Sequence, residues 1–491
     1  MAGRGIVAAG HPLTAEAGAR ALRAGGNAVD AAIAAMLTSF VAEPLLTGLG
    51  SGGYMLVAAP GVEPVLLDFF VEAPGRGAPP AQRAELTAVE VSFGDAVQLF
   101  NVGAASVGVP GTPAGLWEAA RRWGTLDLAE LAAPAASLAR AGVEITPEQA
   151  YVFQILSPIT DSSAEASERF RPGGRVLVAG DSWSDPELAD AIERLAADGP
   201  APFYTGDVAD ALVGWVGARG GALAREDLAA YAPVDRDPVR VRFRDREVAT
   251  NPPPSAGGIL LAYALAVLDR APSPPDAAAL IRAMRRAHAE RTPEFLAGLA
   301  EPGFAARFAS RLGSTTHIAA LDVDGWACSV TCSNGEGSGL VVPGTGVHLN
   351  NVMGEEDLSP LGFFTHPPGR RLPSMMAPTV VLADGVPQLV LGSAGSNRIR
   401  SALLQVIVNA IDLGMDAGEA VQAPRLHDEE GTIYAEPGIE LGALEAAGEV
   451  VARFRARNLF FGGCQAVERD PATGAMSGGG DPRRGGAVAL A

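Results

Sequence analysis

The chain has 491 residues, of which 48% are hydrophobic, and a formal net charge of -19. That is enough apolar material for a sizeable core in one body or several domains, and an acidic balance argues against nucleic acid or an anionic membrane as partner, since both are held through clustered cations. All 37 basic residues are arginine, which excludes a lysine Schiff base, a phosphate-loop lysine and a Ser–Lys pair.

Met1 to Gly5 run directly into Ile6-Val7-Ala8-Ala9, without the apolar stretch of a signal peptide, so a cytoplasmic location is expected. Residues 14–24 read as a helix with Thr14 as N-cap and Gly25-Gly26 as its stop, and residues 27–41 as a second, Ala-rich helix. Gly48, Gly50 and Gly53 have the spacing of a dinucleotide-binding turn. Their context is reversed, because a helix precedes them and strand-like Tyr54-Met55-Leu56-Val57 follows, so the expected role is close approach of backbone to a sheet. Residues 54–58 and 65–70 read as strands around Pro60-Gly61. Helical segments dominate from 115 to 270, broken at Gly142, at the polar stretch 162–168 and at Gly199-Pro200. A helix near 280–291 follows an Ala/Pro-rich run. Beyond 315 the pattern is β-rich, with one clear helix at 400–413. No apolar run is long enough to span a bilayer, and no internal repeat is present.

The most informative segment is a hairpin. Gly313-Ser314-Thr315-Thr316-His317 open a strand that turns at Val323-Asp324-Gly325 and returns through Trp326 to Ser333. A three-residue loop with Gly in the left-handed position pairs residues symmetrically about Asp324, which sets Thr315 opposite Ser333. A threonine facing a second hydroxyl, directly after the small pair Gly313-Ser314, suits a chain that cuts itself to leave a new N-terminal threonine. Threonine with a free α-amine is a nucleophile and base in one residue. Cys328, Cys332 and Cys464 lack metal-ligand spacing and are odd in number, which points to reduced thiols, with Cys328 and Cys332 packing on one strand face. The six histidines give no helical pair for a metal, and no cofactor is called for.

Thr315-Thr316-His317, Leu349-Asn350-Asn351, Ser374-Met375-Met376-Ala377-Pro378-Thr379 and Gly392-Ser393-Ala394-Gly395-Ser396 together resemble the γ-glutamyltranspeptidase family of N-terminal-nucleophile hydrolases. So, in the family's order, do Gly10-His11-Pro12, Gly25-Gly26-Asn27-Ala28-Val29-Asp30, Val109-Pro110-Gly111-Thr112, Pro252-Pro253-Pro254-Ser255-Ala256-Gly257-Gly258 and Ala423-Pro424-Arg425-Leu426-His427. The resemblance implies autocleavage between Ser314 and Thr315, giving segments 1–314 and 315–491 that form one body as a heterodimer of the chain's own fragments, with a dimer of these as a further option. It implies Thr315 as nucleophile, Ser333 orienting its hydroxyl, and the backbone N–H groups of Gly395 and Ser396 as oxyanion donors. The helical first part and β-rich second part fit the α+β, four-layer αββα sandwich of that superfamily. His317 is expected to be a hydrogen-bonded structural histidine, and residues 335–339 to end the hairpin and shape a pocket wall.

The resemblance is weaker around the acyl group. The family grips a substrate α-carboxylate with an arginine whose place is taken here by Phe70, and its Ser-Ser pair is reduced to Ser374-Met375. On the amino-group side Asn334 is retained, Val352 replaces a Gln and Glu355 replaces an Asp; Asn351 completes the implied substrate-binding set. The expected substrate is a small-molecule amide, with water or an amine as acceptor, and an altered acyl group. The alternatives are a genuine γ-glutamyl enzyme with Arg370 or Arg371 as a relocated clamp, and a non-catalytic scaffold.

Overall fold

The computed structural model describes residues 4–77, 84–92, 97–290, 316–358, 362–429 and 431–491. Two antiparallel sheets face each other. One has seven strands in the order Ala487–Leu490, Gly5–Ala9, Thr316–Asp322, Ala327–Ser333, Gly52–Ala59, Val62–Phe69 and Val234–Arg236. The other has six, in the order Met476–Gly479, Gly463–Arg469, Val386–Ala394, Thr379–Ala383, Arg246–Thr250 and Val239–Phe243. Helices Pro12–Arg23 and Ala28–Ala42 pack on the outer face of the first sheet, and Gly257–Leu268 and Arg398–Asp412 on the outer face of the second. This is the expected αββα sandwich. Its apolar residues form two cores, one under the N-terminal helices and one filling the space between the sheets and beneath the second helical layer.

The hairpin is central to the first sheet, and its register runs from Thr316↔Cys332 to Leu321↔Ala327, symmetric about Asp324 as its turn chemistry predicts. Gly325 takes φ +86°. Asp322 Oδ1 accepts the backbone N–H groups of Asp324 and Trp326, both at 3.0 Å, while its Oδ2 accepts that of Ala28, also at 3.0 Å. One carboxylate thus shapes the turn and fastens the start of helix Ala28–Ala42 to it. The glycine-rich loop before Gly52–Ala59 is a close approach of backbone: a Cβ at Gly50 would lie 2.1 Å from His348 O, and one at Gly53 would lie 2.3 Å from Thr331 O.

Three local expectations change. The first helix begins at Pro12 with His11 as N-cap, its Nδ1 accepting from Leu13 N–H, and Thr14 instead points inward. A helix, Ala164–Phe170, forms within the polar stretch expected to be a break, because Ser163 caps it by accepting from Ala166 N–H. The chain also supplies strands Val234–Arg236, Val239–Phe243 and Arg246–Thr250 from a region read as helical.

Asp30 is fully buried at the first turn of helix Ala28–Ala42, in a reciprocal cap with Asn27. Its carboxylate also accepts from Thr125 N–H, Thr125 Oγ1 and Leu126 N–H. Asp30→Ala removes the cap and strands several donors, and is expected to cost about 2–4 kcal/mol; a denaturant midpoint unchanged from wild type would show that the cap is dispensable.

Candidate active site

Three chain segments meet at the end of the central hairpin. Thr316 begins one strand, and its Oγ1 donates to Glu43 Oε2 at 2.9 Å. Ser333 ends the partner strand, its Oγ accepting from Gly335 N–H at 2.7 Å. From the facing sheet, Val386–Ala394 ends in Gly395 and Ser396, at φ +123° and +54°, before helix Arg398–Asp412. Gly395 permits a close crossing, since a Cβ there would lie 2.7 Å from Gly462 Cα. Ser396 holds a left-handed conformation that is uncommon outside glycine, the kind of local strain that surrounding structure must enforce.

Two adjoining cavities open beside these segments. The larger, about 310 Å³, is lined by Glu43, Thr316, His317 and Ala394 among others. The smaller, about 60 Å³, is lined by Ser333, Gly335, Glu336, Gly395, Ser396 and Arg398. Leu46, Val152, Leu459 and Arg484 belong to both walls. The larger volume suits a small organic ligand.

Of the residues singled out from sequence, Ser333, Gly395 and Ser396 therefore come together, and the 335–339 run does contribute to the cavity wall. Thr315 and Ser314 lie outside the described residues. Asn334, Asn351, Glu355, Ser374, Met375 and Phe70 do not line either cavity. Asn334 is buried with its Nδ2 at 3.4 Å from His348 Nδ1, and Asn351 Oδ1 accepts from Glu336 N–H at 3.0 Å. The Glu355 carboxylate lies behind Gly335, where a Cβ would come within 2.4 Å of its Oε1. Ser374 Oγ accepts from Met376 N–H at 3.0 Å, and Met375 is buried in the core between the sheets. Phe70 joins that core, stacked on Tyr54 with ring centroids 5.3 Å apart.

Arg371 is a buried cross-brace. Its guanidinium donates to Phe70 O and Ala232 O, both at 2.7 Å, and lies over the Tyr231 ring, with Asp68 and Glu72 nearby. His317 is structural as expected: Nδ1 is 2.9 Å from Thr331 Oγ1, and burial pulls its basicity down to about 3, so the ring is neutral. Cys328, Cys332 and Cys464 are free and buried. No group of acidic, histidine and cysteine residues suited to a metal occurs among the described residues.

Glu43, Arg398 and Arg484 were missed by sequence reasoning. A signal existed for Glu43, an acid at the end of the apolar helix 28–42, and for Arg484, beside Arg483 in a short basic pair. Only the fold shows that both reach one cavity.

The Gamma-glutamyltranspeptidase family model matches residues 14–309 and 304–491. The chain belongs to the γ-glutamyltranspeptidase family. It is 34% identical to the acylase ACY 1 proenzyme of Pseudomonas sp. (strain SE83), over 92% of this chain and 88% of that one. It is 30% identical to the glutathione hydrolase proenzyme of Bacillus subtilis (strain 168), over 99% of this chain and 91% of the other. The crystal structure of cephalosporin acylase from Bacillus halodurans superposes with a TM-score of 0.83 at 29% identity, covering 99% of this chain and 96% of that one. The chain is thus a family hydrolase of the N-terminal-nucleophile type, acting by amide hydrolysis or acyl transfer, and nothing supports a non-catalytic scaffold.

Burial raises the Glu43 carboxyl to about 7, against the hydrogen bond from Thr316, the Arg484 charge and the hydrogen bond from Thr14. Between the ordinary carboxylate value and about 7 the folded chain keeps a proton that the unfolded chain has lost, so this group's contribution to stability falls as pH rises through that window. Wild type should therefore lose stability relative to Glu43→Gln by at most about 1.4 kcal/mol per pH unit. Urea unfolding of both proteins across that window measures the difference, and parallel pH profiles would show that Glu43 is ionised throughout.

Proposed function

We propose that this chain is an autoprocessing threonine amidase that cuts itself between Ser314 and Thr315 and then works on an acyl group other than γ-glutamyl. The observation that carries the reading is the meeting of Ser333, at the hairpin end, with the Gly395-Ser396 turn at one cavity, which adjoins the cavity lined by Thr316, while Phe70, Ser374 and Met375 are packed away from both. The proenzyme names of the acylase and glutathione hydrolase relatives support self-cleavage, and the acylase names support an altered acyl group.

In the processing step Thr315 Oγ1 attacks the carbonyl carbon of Ser314 and the acyl group moves from nitrogen to oxygen. Water then cleaves the ester, leaving a carboxylate on Ser314 and a free amine on Thr315. That amine has a reference pKa of roughly 7.7–8.0, so near neutral pH part of it is unprotonated and can take the hydroxyl proton when Thr315 attacks a substrate amide. Ser333 orients the hydroxyl. The backbone N–H groups of Gly395 and Ser396 receive the oxyanion, a contribution worth about 10²–10³ in rate per donor. Collapse expels the amine and leaves an acyl ester on Thr315, which water or an amine acceptor resolves. Segments 1–314 and 315–491 stay together as one body, since strands of both lie side by side in the first sheet. A cytoplasmic location fits three unpaired cysteines.

A γ-glutamyl enzyme with a clamp relocated to Arg371 is disfavoured by the contacts that fix that side chain to Phe70 and Ala232.

Purified wild type is expected to yield two fragments by mass spectrometry, and Thr315→Ala a single chain near 50.1 kDa. An intact wild-type chain after long incubation would refute the mechanism. Among those fragments' activities, γ-glutamyl-p-nitroanilide should be cleaved at least about 10²-fold less efficiently than the best simple amide in a panel, because contacts to a charged group are each worth roughly 1.5–3 kcal/mol. Parity between the two substrates would restore the γ-glutamyl reading.

A further inference from the structure

Two guanidinium groups converge on the cavity beside Ser333 and the 395–396 turn. Arg484 lines both cavities. Its stem lies along the backbone at the start of Gly463–Arg469, where a Cβ at Gly463 would come within 2.4 Å of Arg484 Cδ. The side chain is therefore guided by a glycine, while its buried Nε meets no partner among the described residues. The preceding residue behaves differently: Arg483 is ion-paired with Glu436 and Asp481. Arg398, which lines the smaller cavity, donates Nε to Phe460 O at 3.0 Å and holds its guanidinium 4.8 Å above the Phe460 ring.

Charges of both signs surround Arg484. Burial, and then Arg398, pull its basicity down to about 10, against Glu43, Asp481 and Glu336, so it stays protonated near neutral pH. Asp481 is already paired with Arg425 and Arg483. Glu43 is held towards its neutral form by burial and is occupied by Thr316 and Thr14. Glu336 lines the smaller cavity beside the pair, and Glu429, outside that wall, lies in the field of Arg398. The rest of that wall is apolar: Leu46, Phe100, Val152, Ile155, Leu156 and Phe460. A partly buried cation among apolar side chains is costly unless an anion joins it, and a planar guanidinium is shaped to receive a carboxylate through two parallel hydrogen bonds.

We propose that Arg484, assisted by Arg398, anchors a carboxylate on the amide substrate, whose remaining body is apolar. This rests on the amidase reading above and names its substrate class. The anchor sits on the cavity side of the nucleophile strand, away from the Phe70, Ser374 and Met375 positions, and replaces a zwitterion clamp with a single-charge one.

The test compares self-cleaved wild type with Arg484→Leu and Arg484→Lys on three chromogenic amides of similar acyl length. These are butyryl p-nitroanilide, which is neutral; glutaryl p-nitroanilide, with the carboxylate on the acyl side; and the butyryl amide of an aminonitrobenzoate, with the carboxylate on the leaving side. One charged amide should exceed the neutral one in kcat/KM by roughly 10- to 100-fold, the size of one charge-assisted contact. That ratio should fall towards one in Arg484→Leu and be partly kept in Arg484→Lys, and the charged amide that wins identifies the side carrying the carboxylate. Wild type that cleaves all three alike, or a ratio unchanged in Arg484→Leu whatever the absolute rates, overturns the anchor and leaves the amidase reading standing. A wild-type chain that never yields two fragments removes the amidase reading first, and the anchor with it. Should Arg484→Leu fail to fold, the ratio in Arg484→Lys decides.

Discussion

The register of the central hairpin is the constraint on which the site depends. Both of its strands, Thr316–Asp322 and Ala327–Ser333, are buried along their whole length, with helices on one face and the second sheet on the other. Because side chains alternate between faces, a slip of one residue would exchange every side chain between the two cores. Asp322 fixes the turn, the turn fixes the register, and the register fixes which residues stand at the open end. Thr316 there faces the helical layer, where it meets Glu43, and Ser333 ends the neighbouring strand.

The second sheet must then be brought to that end at a set distance. His317 does this by occupying space that a side chain at 392 would need: a Cβ at Gly392 would lie 2.3 Å from the imidazole Nδ1. The strand Val386–Ala394 consequently lies close over the hairpin, and its last turn, at Gly395 and Ser396, falls beside Ser333. A histidine that titrated in this gap would introduce a buried charge between two sheets. Burial keeps it neutral, and the hydrogen bond to Thr331 satisfies one ring nitrogen. The histidine of the Thr315-Thr316-His317 motif is therefore a spacer, and its effect on the site is geometric.

Much of this was legible in the sequence because it was written in local chemistry. Val323-Asp324-Gly325 specifies its own turn, and Asn27 with Asp30 specifies a helix start. The strands between 234 and 250 were legible in principle, since Val239-Arg240-Val241-Arg242-Phe243 alternates at the strand period, but the Ala-rich helices before them drew the reading towards helix. His11 displaced Thr14 as cap because Pro12 is suited to the first helical position, which moves the helix start upstream. The wall of the site was not legible. Glu43, Arg398 and Arg484 are far apart in sequence and share no periodicity: one ends helix Ala28–Ala42, one begins helix Arg398–Asp412 and one lies near the C-terminus, and only tertiary packing brings them together. The same holds for Phe70: its place in a family motif is visible in sequence, but its stacking on Tyr54 is not.

The distribution of charge gives the site its character. The chain as a whole is strongly acidic, with net charge -19, so an anionic small molecule approaches a body that repels it at long range. Under physiological salt that repulsion is screened beyond roughly 8 Å, whereas the field of a partly buried guanidinium inside a largely apolar cavity is not. For the carboxylate-bearing substrate proposed above, selectivity would reside within the cavity, in Arg484 and Arg398, and not in steering by the surface. The pairing of Arg483 with Glu436 and Asp481 sharpens this point. Two adjacent arginines begin from the same backbone turn; one is neutralised into the scaffold, and the other is left for the cavity. Asp481 is the hinge of that division, since it also accepts from the backbone of Cys464 and pairs with Arg425, so the scaffold consumes its charge before Arg484 can.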